Sequence, residues 1–211
     1  MRDVEYGDLM AATTRELYLE TGISILADSG YSALKLSEVC GRLGVTSGSF
    51  YHFFKNWSDY TGQLIQHWLA SRTELEVAAV QAVADPLQRM RDLIEFAVLL
   101  PHHAEAAIRT WANMDPDVRK VQEMADHARY QVVFDIAMEL LDDRDAAHRY
   151  SSWANYVLTG YSQSTLPDDP ATLTWAAQQF LDSLADASNR PRQSLALADD
   201  RQQATVGGSQ E

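Results

Sequence analysis

The chain has a single cysteine, Cys40, among 211 residues, so no intramolecular disulfide can staple it. Cys40 falls on the inward side of a short helix, where burial disfavours the thiolate and leaves a small hydrophobe. No apolar run approaches the roughly 18 residues of a membrane-spanning helix, so no span is expected. The N-terminal stretch lacks the apolar core of a secretory leader, and a cytoplasmic location is the expectation. Basic residues are few: 17 Lys and Arg stand against 30 Asp and Glu, a net charge of −13. That excludes a binder that holds polyanions through a positive surface all round.

Catalytic signatures are missing as well. There is no nucleophile–base pair, phosphate-cradling loop or paired-acid constellation, so an enzyme is not expected. His102, His103 and His127 are unaccompanied by HxxxH or CxxC, and adjacent histidines do not share a helical face. Asp142, Asp143 and Asp145 lack the glycine and spacing of a calcium loop and read as a solvated helix junction. His102 and His103 read as exposed residues at a helix start. No metal and no cofactor are implied.

What is present is helix, with a hydrophobic share of 46% that is ample for a core. Thr13-x-x-Glu16 has capping-box spacing and predicts the start of a first helix, whose stripe is Tyr18, Gly22, Ile25 and Leu26 and whose stop is Gly30. A long helix is predicted from about Asn56 into the eighties. Its inward side is Tyr60, Leu64, Ile65, Trp68 and Leu69. Three Asp-Pro pairs, Asp85-Pro86, Asp115-Pro116 and Asp169-Pro170, mark later helix starts, because aspartate caps free N–H groups and proline at the first position sacrifices no hydrogen bond. The pattern predicts helices over 86–100, 102–113, 116–141, 144–162 and 170–186. The fold class is all-α with about nine helices. The expected division is a three-helix unit at 1–55, a larger helical domain at 56–188 and a disordered tail at 189–211, in which Leu195 and Leu197 could still dock.

The segment from Gly30 to Phe54, GYSALKLSEVCGRLGVTSGSFYHFF, reads as a helix-turn-helix, the unit that lays one short helix in the DNA major groove. Ser37 is the expected cap of a helix whose inward residues are Val39, Cys40 and Leu43. Gly44 sits where a helix stop needs a left-handed residue. Val45 plugs the turn and Thr46 caps the next helix, in which Phe50 and Phe53 or Phe54 face inward. Gly48, Ser49, Tyr51 and His52 remain outside, small or hydrogen-bonding groups suited to phosphate and base-edge contact. Gly48 costs a helix about 1 kcal/mol against alanine, so a packing or close-approach reason is expected. Over 35–55, Lys35, Arg42 and Lys55 face only Glu38, a local excess of positive charge on an acidic chain.

The string GVTSGSFYHFF resembles the recognition helix of the TetR family of bacterial regulators, and the resemblance runs from about Leu9 to Leu69. It implies a ligand-responsive transcriptional regulator of the repressor type, which binds palindromic operator DNA as a homodimer and is released by a small molecule. The expected DNA-contacting residues are Lys35, Ser37, Thr46, Ser47, Gly48, Ser49, Tyr51, His52 and Lys55. Ser47 and Trp57 stand where the family commonly has lysine. Each phosphate left unneutralised takes about 0.9 from the salt slope, so the salt dependence per subunit should be shallow.

The same resemblance makes the last two long helices a pairing surface, with Tyr150, Trp153, Val157, Tyr161, Leu173, Phe180 and Leu184 as candidate contacts. Those stripes could equally face the subunit's own core. The middle helices would enclose an effector pocket, with Phe96, Leu100, Trp111, Met114, Met124, Tyr130 and Phe134 as candidate lining, although core packing competes at each position. The alternative function is a helical small-molecule binder with lost or weak DNA binding, favoured by the acidic charge, Ser47 and Trp57.

Overall fold

The computed structural model describes residues 2–189, with side chains from residue 15 onward, and among these it contains helices and no strand. The helices are α1 (Arg2–Ser29), α2 (Leu36–Leu43), α3 (Ser47–Phe53), α4 (Trp57–Leu69), α5 (Leu75–Gln81), α6 (Pro86–Leu99), α7 (His102–Ala112), α8 (Pro116–Leu141), α9 (Arg144–Gln163) and α10 (Pro170–Asn189). A 3-10 turn, Tyr31–Ala33, links α1 to α2, and a π-helical turn, Ala70–Glu74, joins α4 to α5. The expected long helix over 56 to the eighties is therefore one rod with a wider turn inside it. No described helix is long and apolar enough to cross a membrane. The tail predicted over 189–211, with Leu195 and Leu197, lies outside the described residues except for Asn189.

The caps explain most boundaries. Asp85 accepts from the N–H groups of Leu87 and Gln88 at 3.3 and 3.2 Å, and Asp115 from those of Asp117 and Val118 at 3.0 and 3.4 Å. Asp169 accepts from the N–H of Thr172 at 2.9 Å. The Asp-Pro reading thus located three helix starts. Two other boundaries differ from the sequence reading. First, α1 is already helical from Arg2; the Thr13–Glu16 spacing is also the ordinary i,i+3 spacing of a continuing helix, and the Thr13 side chain lies outside the described ones. Second, α2 begins at Leu36 with Lys35 as its flanking residue and no side-chain cap, leaving Ser37 exposed inside the first turn. Leu36 packs on the core, and that draws the helix start ahead of Ser37.

Two apolar cores organise the molecule. The first gathers Tyr18, Ile25, Leu26, Val39, Phe50, Phe54, Tyr60, Leu64 and Trp68 with Ile108, Trp111 and Val121 of α7 and α8. It runs on past residue 55, so the N-terminal helices are seated on the body through α4 and α7. The second joins Val80, Met90, Val132, Ile136, Ala147, Phe180, Leu181 and Leu184, bringing α5, α6, α8, α9 and α10 together.

Candidate nucleic-acid interface and internal chamber

The helix-turn-helix forms as its residues require. Gly44 takes the left-handed conformation at φ 66°, and its N–H returns to the carbonyls of Cys40 and Gly41. The Val45 N–H bonds the Cys40 carbonyl at 3.0 Å. Cys40, its thiol pushed up by burial, directs Sγ at the Thr46 carbonyl 3.9 Å away. Thr46 Oγ1 accepts from the Ser49 N–H at 3.3 Å and starts α3.

Aromatic packing sets the attitude of α3. Phe50 and Phe54 are buried, and each lies edge-on to Tyr18 of α1 with ring centres 5.7 Å apart. The Tyr18 hydroxyl donates to Ser49 Oγ at 3.1 Å, so Ser49 is half-buried and faces α1 with one lone pair already used. Trp57 packs over Phe50 and Tyr60 at 6.0 and 5.0 Å instead of reaching outward as a lysine would. Asn56 caps α4 by accepting from the Asp59 N–H at 2.8 Å, while Asp59 accepts from the Lys55 N–H at 2.8 Å. The Lys55 N–H, followed by the Gln63 side-chain amide, holds the Asp59 carboxyl below its usual range.

The outward face is as expected from the sequence except at Ser49, which turns partly toward α1. Lys35, Ser37, Thr46, Ser47, Gly48, Tyr51, His52 and Lys55 are all exposed, and Tyr51 is 52% exposed despite its size. A Cβ on Gly48 would meet only Thr46 Oγ1 at 3.6 Å, an ordinary contact. Nothing inside the subunit therefore demands glycine there. Two features escaped the sequence reading. Arg15 of α1 donates to the Phe53 carbonyl at 2.9 Å and to Gln63 Oε1 at 2.8 Å, and its guanidinium lies 5.5 Å from the Phe54 ring centre. It thus ties the end of α3 to α1 and α4. Arg42 is turned toward Asp28 at 2.5 Å and Glu38 at 2.9 Å. Its charge is matched within the subunit, which leaves Lys35 and Lys55, with Arg15 at the end of α3, as exposed positive groups near this face among the described residues.

The body holds two adjoining cavities between α5, α6, α8, α9 and α10. One, of about 90 Å³, is lined by apolar side chains including Met90, Val157, Leu158, Leu173 and Phe180. The other, of about 80 Å³, is lined by Arg72, Thr73, Glu76, Phe96, Leu100 and Arg129 among others. Of the expected lining residues, Phe96 and Leu100 are present. Trp111 is instead buried in the first core, stacked on Tyr31 at 5.1 Å, because α7 turns toward α1. Met114 and Met124 are 63% and 53% exposed. Tyr130 stacks on Phe134 at 6.0 Å and shares a hydrogen bond with His148 at 2.7 Å, on the flank where α8 meets α9.

A buried polar chain adjoins the second cavity. Arg129 of α8 donates to Glu105 of α7 at 2.8 and 3.1 Å and to the Arg72 carbonyl at 3.3 Å. Glu105 also accepts from Trp68 Nε1 of α4 at 2.9 Å. The chain therefore joins the cavity wall to the rod that carries the N-terminal unit. His102 differs from expectation: it is half-buried, with Nδ1 3.1 Å from Ser162 Oγ and Nε2 3.3 Å from the Val98 carbonyl. His103 is exposed and pairs with Asp168 at 2.7 Å. Among the described residues no group of three or more His, Cys, Asp or Glu is placed to hold a metal ion.

The pairing stripe also needs revision. Leu173, Phe180 and Leu184 are buried within the subunit, where α10 covers the second core, so they are not available to a second copy. Val157 lines the apolar cavity. Tyr150 is half-buried with its hydroxyl on Ser183, and Tyr161 is half-buried against His102. Of the expected set, Trp153 alone is exposed; Tyr156 of α9, at 74%, and Trp175 of α10, at 63%, are exposed as well.

Residues 19–57 match the profile of bacterial regulatory proteins of the tetR family. Over 173 residues the chain is 21% identical to the HTH-type transcriptional regulator BetI of Rhizobium meliloti, covering 78% of this chain and 84% of that protein. Over 95 residues it is 28% identical to the HTH-type transcriptional repressor KstR2 of Mycobacterium tuberculosis, covering 43% of this chain and 46% of that one. The fold is similar to the crystal structure of a transcriptional regulator from Saccharomonospora viridis in complex with choline. That match has a TM-score of 0.69 at 15% identity, covering 81% of this chain and 96% of the other.

Proposed function

We infer that this chain, which belongs to the TetR family of bacterial regulatory proteins and is a transcriptional regulator, grips a palindromic operator as a cytoplasmic homodimer and lets go when a small molecule enters its body. The observation that carries the reading is the outward face of α3. Thr46, Ser47, Gly48, Tyr51 and His52 stand exposed on a helix whose other side is locked by Phe50, Phe54 and Tyr18. A rigid helix with small and hydrogen-bonding groups outside can approach base edges and phosphates closely. Lys35, Ser37 and Lys55 flank it, and Ser49 contributes through its remaining donor.

Residues 1–55 serve as the reading unit and 56–188 as the sensing and pairing body. The exposed aromatic side chains Trp153 and Tyr156 of α9 and Trp175 of α10 are the candidates for the surface by which two copies meet. Dimerisation places two recognition helices about 34–36 Å apart, one helical turn of DNA. The effector binds in the paired cavities; the S. viridis regulator of similar fold is itself a complex with a small molecule, choline. Repression is the sign in keeping with the name of the KstR2 relative. Release requires that the effector bind better to an arrangement of the two units that does not fit the operator. The α4–α5 rod is the lever, because one end packs on α3 and the other walls the cavity.

Selection of bound duplexes from a random DNA library tests the reading, with the Tyr51→Ala, His52→Ala double variant as control. A palindromic motif enriched by the native protein and lost in the control is the expected result. No enrichment even at low salt would instead favour a small-molecule binder that no longer reads DNA.

A further inference from the structure

The two cavities are unlike in chemistry. The first has only apolar side chains on its walls. The second is walled in part by Arg72, Thr73, Glu76 and Arg129. Leu93, Ala97 and Val133 belong to both walls, so the two cavities adjoin, and a shift of these side chains joins them as lobes of one chamber. In the polar lobe the Thr73 side chain is 1% exposed and its hydroxyl has no hydrogen-bond partner, and the Arg72 Nε is also buried without one. Native structures seldom leave buried donors unsatisfied, and an unfilled ligand position is one reason for it.

The charges around the polar lobe are largely matched from within. Arg129 is paired with Glu105 at 2.8 Å and Arg72 with Glu20 at 3.1 Å. Glu76 stands in none of the direct ion pairs among the described residues, and burial pushes its carboxyl up from the usual range.

We propose that the effector is a small, uncharged amphipathic molecule whose alcohol or carbonyl oxygen meets Thr73 and Arg72 in the polar lobe while its apolar body fills the other. This rests on the ligand-responsive reading above and specifies its chemistry. A carbonyl oxygen accepts from the Thr73 hydroxyl and the Arg72 N–H together. An alcohol oxygen does the same and can donate its own proton to Glu76. A carboxylate would be set against Glu76, and an ammonium against the guanidiniums of Arg72 and Arg129. Size limits the body of the ligand: an apolar cavity of about 150 Å³ holds a benzene ring, and each lobe is smaller, so a slim chain suits the chamber better than fused rings. Arg72 and Thr73 lie in the π-turn between α4 and α5, which puts the head group on the rod that reaches the DNA-reading unit.

Four eight-carbon probes separate the head groups: octan-2-ol, octan-2-one, octanoate and octylamine, each titrated calorimetrically into the native protein and added to its complex with the selected operator. The alcohol and the ketone should bind and release DNA, and the two charged probes should bind at least about tenfold more weakly, a penalty typical of burying an unmatched charge or polar group. Thr73→Val keeps the shape of the side chain and should weaken octan-2-one by about three- to tenfold, the usual value of one hydrogen bond. Glu76→Gln should narrow the gap between octanoate and octan-2-ol. Preference for octanoate or octylamine with DNA release would overturn the head-group assignment and leave the regulator reading intact. Binding of octan-2-ol that leaves the operator complex unchanged would support the site and overturn its coupling to DNA. Failure of all four probes to bind, or an unchanged affinity in a folded Thr73→Val variant, would overturn the assignment.

Discussion

Gly22 on α1 leaves no room for a methyl group beneath Tyr60 on α4: a Cβ there would lie 2.3 Å from the Tyr60 Oη and 2.9 Å from both terminal carbons of Leu64. The close approach lets the Tyr60 hydroxyl donate to the Tyr18 carbonyl at 2.9 Å inside an apolar core, where burial holds the phenol protonated far above its ordinary range. Gly22→Ala sets overpacking, typically 1–3 kcal/mol, against a helix-propensity gain of about 1 kcal/mol. Because Tyr60 and Leu64 are fully buried and cannot move aside, the clash should dominate. A net loss of about 1–2 kcal/mol in urea unfolding is expected, and a neutral or stabilised variant would show that α4 slides on α1.

The Glu105–Arg129 pair should be far more sensitive. Glu105 is 2% exposed, and its removal strands a buried guanidinium. Glu105→Gln should cost about 3–5 kcal/mol, whereas adding Arg129→Met should recover much of it, because the uncompensated charge is gone. Chemical denaturation of the two variants side by side decides this.

Ser47 offers a gain of contact. Its side chain is exposed at the start of α3 with no cation beside it in the helix. Ser47→Lys should steepen the dependence of log affinity on log salt by about 0.9 for each phosphate reached, once per subunit. An unchanged slope would place that end of α3 away from the DNA backbone.

His102 gives a pH dependence of definite sign. Burial lowers its basicity, opposed by the Val98 carbonyl. The unfolded chain therefore takes up the proton first, from about pH 6.5 downward. The stability that His102 contributes is complete above that value and is lost as pH falls toward the lower native value. The lowered carboxyls of Asp28, Asp59 and Asp169 act further down, below their ordinary value of 3.8. Urea midpoints between pH 7.5 and 5.5 should fall in the native protein and fall less in His102→Gln.

Local signals were legible in the sequence wherever one residue decides the backbone. Gly44, Thr46 and the three Asp-Pro pairs each act within a few residues, and each forms as read. The exposed face of α3 was legible too, because Phe50 and Phe54 define its opposite. What the sequence hid depends on which neighbour covers an apolar stripe. Leu173, Phe180 and Leu184 have the periodicity of a pairing surface, but α10 spends that stripe on its own subunit. Met114 and Met124 have the chemistry of a pocket wall but are exposed, Met114 on an open groove beside Tyr31 and Thr110. Arg15 left no signal because its partners, Phe53 and Gln63, are distant in the sequence.

The π-turn over Ala70–Glu74 has a further consequence. An ordinary helix advances about 100° per residue, and a turn closed at i+5 takes in one residue more. The inner faces of α4 and α5 therefore follow two different phases, and no single stripe describes the rod. Removing one residue from this stretch would restore a uniform helix and leave Val77 and Val80 near their present places, because the wider turn is what absorbs the extra residue. A single deletion within these five positions should therefore be tolerated better than one in the middle of α4, where every later residue would turn by about 100°.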